Sequence, residues 1–178
     1  MSLFWTVWEK TQNYRARQTT LEPFLVLAVF AADRLTKNWA MDRLFLKPLQ
    51  VLPFFKLSCV ENTGVAFGMF RGNNNFFVVF SVLLVGALLI FRRRITGHGL
   101  AARVGLALVL GGALGNLYDR LSYGFVADFL DLSFFPAVFN VADSAITVGA
   151  CFLAIGLNEG KTAVKNGGES AKAGSGRL

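Results

Sequence analysis

Five aspartates mark where this chain could do chemistry: Asp33, Asp119, Asp128, Asp131 and Asp143 all lie in or beside apolar stretches. An ionised side chain at the centre of a membrane helix costs about 2.5 to 3.5 kcal/mol on insertion scales, so acids in such company point to function. Asp143 follows Asn140-Val141-Ala142 at the start of an apolar run, and Asp128 sits in Val126-Ala127-Asp128-Phe129. Fifteen residues separate the two, with Pro136 between them to turn the chain back. Two carboxylates within hydrogen-bond reach do not both ionise readily; they share a proton and their pKa values split. The ionised member can take a proton from water while the protonated member polarises a carbonyl. That is hydrolysis of the aspartyl kind, and it uses neither metal nor covalent intermediate. The alternative is that each acid caps a helix or pairs with Arg120.

Other chemistries find little support. The single histidine, His98, lies between Gly97 and Gly99 in an Arg-rich segment and reads as a turn residue. Without a second histidine there is no His-Glu-x-x-His zinc motif, and no serine–histidine arrangement in the apolar regions. A serine–lysine pair stays formally open through Ser58, Ser144, Lys37 and Lys56, although no spacing recommends it. Cys59 and Cys151 show no paired spacing and read as packing residues. Asn116 and Asn140 could orient a polar group or bond helix ends. In Glu61-Asn62-Thr63-Gly64, Asn62 can bond a peptide backbone and Gly64 allows close approach; a plain turn is the competing reading.

The elements that must position these groups belong to a membrane. Of 178 residues 54% are hydrophobic and only 16% charged, and there are 18 Phe. Soluble domains carry about 25% charged residues. This excludes a disordered chain, a disulfide-stapled module and a nucleic-acid binder. Four spans of about 20 residues are expected: about 22–41, the charge-free run Gly72–Phe91 stopped by three arginines, Val104–Tyr118, and about 139–157. Gly111-x-x-x-Gly115 is a close-packing motif within the third.

Eleven of the eighteen basic residues fall in the N-terminal arm, the loop around 92–103 and the tail. Both termini are therefore expected to be cytoplasmic, with the loops at 42–75 and 119–138 facing outward. Val51–Val60 and Phe125–Phe135 are apolar loops expected to fold back as a small sheet at the interface, with Pro53 suited to an edge strand. Residues 1–20, with Phe4, Trp5 and Trp8, read as a cytoplasmic arm lying on the membrane. Residues 21–157 form the membrane domain, and 158–178 read as a flexible tail.

Five segments, in order, resemble the lipoprotein signal peptidases (signal peptidase II) of bacteria. They are Asp33-Arg34-Leu35-Thr36-Lys37, Glu61-Asn62-Thr63-Gly64-Val65-Ala66-Phe67 and Gly112-Ala113-Leu114-Gly115-Asn116-Leu117-Tyr118-Asp119-Arg120, then Gly124-Phe125-Val126-Ala127-Asp128-Phe129 and Phe139-Asn140-Val141-Ala142-Asp143-Ser144. The resemblance implies an inner-membrane aspartyl endopeptidase, all-α, with four transmembrane helices and a small extracytoplasmic β-sheet. It implies cleavage of prolipoproteins just before a cysteine carrying diacylglycerol, by a monomer among membrane lipid, with no cofactor, no metal and no nucleic acid. By motif match Asp128 and Asp143 are the catalytic pair. Asn62, Gly64, Asn116, Arg120 and Asn140 would hold substrate, with Asp33, Lys37 and Asp119 in support. Ala127 departs from the larger aliphatic residue more usual there. Two rivals remain: a proton-coupled transporter, whose acids should lie nearer the midplane, and an assembly factor, which needs no paired acids.

Overall fold

A computed structural model describes the backbone of residues 2–45, 47–64 and 73–175, and the side chains of 21–45, 47–64 and 73–158. The elements run α1 (Ser2–Leu44), β1 (Leu49–Leu52), β2 (Phe55–Asn62), α2 (Asn74–Thr96), α3 (Leu100–Ser122), β3 (Val126–Leu132) and α4 (Val141–Ser175). The arm's Phe4, Trp5 and Trp8, the Val65-Ala66-Phe67 part of one motif, and Gly72 lie outside the described side chains.

Among the described residues three helices are long and apolar enough to cross a membrane: α2, α3 and the Val141–Asn158 part of α4. α1, expected as a fourth, is not one of them, because Glu22, Asp33, Arg34, Lys37, Asp42 and Arg43 interrupt it. Its polarity is turned inward. Asp33 and Lys37 are fully buried while Phe24, Leu27 and Leu35 are exposed. α2 likewise exposes Val79, Phe80, Leu83 and Ile90.

α3 is the central helix and packs against the other three. Its glycines set the distances. A β-carbon at Gly112 would lie 2.5 Å from the Ala142 carbonyl oxygen of α4, and one at Gly115 would collide with the Asp33 carboxylate of α1. Gly111 of the expected packing motif meets Val26 and Val29 of α1. The motif therefore brings α1 close, while Gly112, on another face, brings in the start of α4.

The strands form an antiparallel sheet in the order β1-β2-β3. The stretch expected as one strand around Pro53 is instead a hairpin: Leu52 pairs with Phe55, and Pro53-Phe54 make the turn. Proline's fixed φ suits the first corner of a tight turn, and there its missing N–H is not needed by a ladder. Between β2 and β3 the pairing steps from Leu57↔Leu130 to Val60↔Asp128, three residues against two. This bulge at Ser58-Cys59 adds twist beside Asp128. Phe129 of β3 packs on Ala40 and Leu44, so the sheet is seated on the C-terminal end of α1.

Candidate active site

The fifteen-residue gap between the two acids is closed by backbone pairing. Phe139 forms an isolated bridge with Leu130, its N–H donating to the Leu130 carbonyl at 3.0 Å and its carbonyl accepting from Leu130 N–H at 2.8 Å. The next residue, Asn140, starts α4. Its side-chain oxygen accepts the Asp143 N–H at 2.9 Å, and Asp143 Oδ2 accepts the Asn140 N–H at 3.2 Å. This reciprocal pair is a capping box with aspartate in the usual Glu position. The helix-cap alternative for Asp143 is thus realised, and it fixes the carboxylate rather than removing it from the site.

Three asparagine amides converge on the two carboxylates. Asn140 Nδ2 donates to Asp128 Oδ1 at 2.6 Å and Asn62 Nδ2 to Asp128 Oδ2 at 2.7 Å. Asn116 Nδ2 donates to Asp143 Oδ1 at 2.7 Å. With the Asn140 backbone N–H, all four carboxylate oxygens accept one hydrogen bond. Asn62 is held in turn by the Gly64 N–H, which donates to its Oδ1 at 2.9 Å. Burial, and then the neighbouring Asp143 charge, push the Asp128 carboxyl up to about 7 against the pull of the Asn62 and Asn140 donors. A buried acid in such company keeps its proton far above the ordinary carboxylate range and is about half protonated near pH 7.

Both acids, with Asn62, Gly64 and Arg120, line a cavity of about 750 Å³ whose remaining wall is largely apolar and includes Phe134, Phe135, Phe139 and Val148. Arg120 makes no ion pair among the described residues; its guanidinium lies over the Phe77 ring, 5.2 Å from the centroid. The Asp–Arg120 alternative therefore fails, and Phe77 joins the site unforeseen.

Below the cavity lies a buried ionic cluster. Lys37 Nζ is 2.9 Å from Asp33 Oδ2 and 2.9 Å from Asp119 Oδ2, and it donates to Asn116 Oδ1 at 2.8 Å. Asp33 accepts the Ala142 N–H at 3.1 Å and Asp119 the Ala127 N–H at 3.2 Å. Each supporting carboxylate thus holds the residue just before one of the cavity acids. Arg34, quoted in a motif but assigned no role, is 2.5 Å from Asp119 Oδ1 and lies over the Tyr118 ring. Its signal was adjacency to Asp33 within a charged knot on an otherwise apolar helix.

The remaining groups stand apart. Asp131 pairs with Lys56 at 3.1 Å and accepts from Ser58, while Ser144 Oγ donates back to the Asn140 carbonyl. Neither serine hydrogen-bonds a lysine. His98 closes the α2–α3 turn, its Nδ1 2.8 Å from the Arg94 carbonyl oxygen. Burial pushes the Cys59 thiol up, as befits a packing residue.

Known proteins place this architecture. A family model described as signal peptidase (SPase) II matches residues 25–158. The lipoprotein signal peptidase of Caldanaerobacter subterraneus subsp. tengcongensis is 45% identical over 133 residues, covering 72% of this chain and 90% of that protein. That of Moorella thermoacetica is 45% identical over 137 residues, with 74% and 89% covered. A solved bacterial membrane enzyme, determined by the in meso method at 2.3 Å, superposes with a TM-score of 0.72 at 28% identity, covering 81% of this chain and 91% of that one. With the match spanning both acids and every helix that carries the site, the chain belongs to the signal peptidase II family of proteases.

Proposed function

We propose that the protein removes signal peptides from prolipoproteins, with Asp128 and Asp143 as its acid–base pair. One observation carries this reading: buried Asn140 binds both carboxylates, and both line a largely apolar cavity. The ionised carboxylate takes a proton from water, whose oxygen bonds to the scissile carbonyl carbon. The protonated carboxyl gives its proton to the carbonyl oxygen. Collapse of the diol breaks the C–N bond and passes a proton to the leaving nitrogen. Asp128, pushed up to about 7, is suited to hold the shared proton at rest.

The substrate class is a precursor whose cysteine already carries diacylglycerol, cut just before that cysteine. Two acyl chains keep such a substrate in lipid, and the apolar cavity wall suits it. Membrane placement follows from the same chemistry. α1 acts as a fourth crossing, since Asp33, Arg34 and Lys37 meet partners on α3 and apolar side chains face outward. The basic α2–α3 turn and both termini lie on the cytoplasmic side of the inner membrane and the sheet on the other. The enzyme works as a monomer. Purified protein in detergent with a chelator present should cleave a diacylated prolipoprotein, and the unmodified precursor much more slowly. Equal rates at matched membrane concentration would remove lipid recognition from this reading, and no cleavage of either would remove the reading itself.

A further inference from the structure

Lys37 is fully buried and absent from the cavity wall, yet each of its three contacts leads to one of the two acids. We infer that Lys37 is the positioning residue of the acid pair: one buried ammonium sets the height of both aspartates and the orientation of the amide facing Asp143. The inference rests on the reading of Asp128 and Asp143 as the catalytic pair.

An ammonium has three N–H donors, and all three are engaged: Asp33 at 2.9 Å, Asp119 at 2.9 Å and Asn116 at 2.8 Å. Through Asp33 it holds the Ala142 N–H, next to Asp143; through Asp119 it holds the Ala127 N–H, next to Asp128. The third contact sets an orientation, with the shorter of the two bonds to the Asn116 oxygen, since Asn140 Nδ2 donates to the same atom at 3.3 Å. With its oxygen on the ammonium, Asn116 must turn its NH2 to Asp143. Flipped, it would set donor against ammonium and carbonyl against carboxylate. Charge neutralisation alone does not need Lys37, because Arg34 also reaches Asp33 and Asp119. What Arg34 lacks is a contact with Asn116.

The charged and titratable groups around the pair are Asp33, Arg34 and Lys37 from α1, Cys59 and Glu61 from β2, and Asp119 and Arg120 from α3, while α2 presents Phe77. Of these, Lys37 lowers the proton affinity of Asp128, the carboxyl that holds the shared proton, so losing it should move the alkaline limb of the rate profile to higher pH.

The test is Lys37→Met in the full chain, with kcat, KM and the pH profile measured per folded enzyme on a diacylated prolipoprotein. Misplacement of a reacting group by an ångström costs on the order of 100-fold, so kcat should fall at least about 30-fold. KM should stay within about threefold, and the alkaline limb should move to higher pH. Asp33→Asn with Lys37→Met keeps the charge balanced around the Arg34–Asp119 pair and should fold where the single variant does not, since buried ion pairs tolerate removal of both partners. Normal kcat and an unshifted profile in either folded variant would overturn the inference, as would a double variant that does not fold, which would mark Lys37 as a stability residue only. Asp143→Asn is measured in parallel. If it retains turnover, the catalytic-pair reading has failed; if it is dead while the Lys37 variants are normal, only the inference has.

Discussion

Asn140 donates to Asp128 Oδ1 at 2.6 Å while its own side-chain oxygen accepts the Asp143 N–H at 2.9 Å. The amide cannot turn over without losing both bonds, so the residue that starts α4 also fixes the spacing of the two acids. A helix cap and a partner of both carboxylates are here one residue, and helix stability is coupled to the geometry of the acids.

Asp→Asn substitutions separate capping from catalysis. Asp143 fills the capping-box position that Glu or Gln usually takes, where an amide oxygen can also accept the Asn140 N–H, so Asp143→Asn should cost about 1 kcal/mol of stability or less. Asp128→Asn and Asp143→Asn should each lower turnover by roughly a hundred- to ten-thousand-fold through lost acid–base catalysis. Asp131→Asn is the control, because among the described residues the Asp131 carboxylate bonds Lys56 and Ser58 on the sheet and none of the site's asparagines. Near-normal cleavage by either of the first two variants would refute the aspartyl mechanism.

The proton on Asp128 should be visible in stability. The folded protein holds it up to about pH 7, whereas the ordinary value is 3.8. The folded state therefore binds more protons between these limits, and its stability should fall as pH rises across them. At about 1.4 kcal/mol per unit the full effect is at most about 4 kcal/mol. Thermal unfolding in detergent from pH 4 to 8 should show this decline in the parent and a flatter profile in Asp128→Asn. Parallel profiles would mean Asp128 ionises normally.

Gly112→Ala should displace the start of α4. Its new β-carbon would lie 2.5 Å from the Ala142 carbonyl oxygen, a backbone atom that cannot swing aside. We expect at least about a tenfold loss of kcat, since a shift near 1 Å at a reacting group costs on the order of 100-fold. Gly86→Ala, where a β-carbon meets nothing within 4 Å, should be silent. Comparable rates for both variants would show that α4 can adjust without moving Asp143.

Topology can be read by labelling. In a background without Cys59 and Cys151, Ser133→Cys should react with an impermeant thiol reagent added to intact cells, and His98→Cys should not. The reverse pattern would place the cavity on the cytoplasmic face.

Much of this was legible in the chain because membrane insertion writes itself locally. The charge-free run up to Phe91 and its three arginines announce α2 within one window of sequence, and α2 closes at Thr96. The Asp128–Asp143 approach was legible for a similar reason, since only a short connection joins them. Pro53 misled because proline tells that a ladder is broken, not whether by an edge or by a turn. The partner of Asn116 could not be read from spacing, for Lys37 is 79 residues away and the contact exists only once α1 and α3 have packed. α1 was the hardest element: hydropathy averages around a helix, and this one carries Asp33 and Lys37 on its inner side.

That inward polarity has a consequence for biogenesis. Made before α3, α1 bears Asp33, Arg34 and Lys37, while Asp119, the second carboxylate that both cations reach, is still unmade. At about 2.5 to 3.5 kcal/mol per charge, a solitary α1 is a poor resident of lipid. On the reading of α1 as a fourth crossing, it would wait in the translocon or at the interface until α3 emerges, and the pair would enter the bilayer together. On that reading the ionic cluster would couple the insertion of α1 to the synthesis of Asp119 on α3.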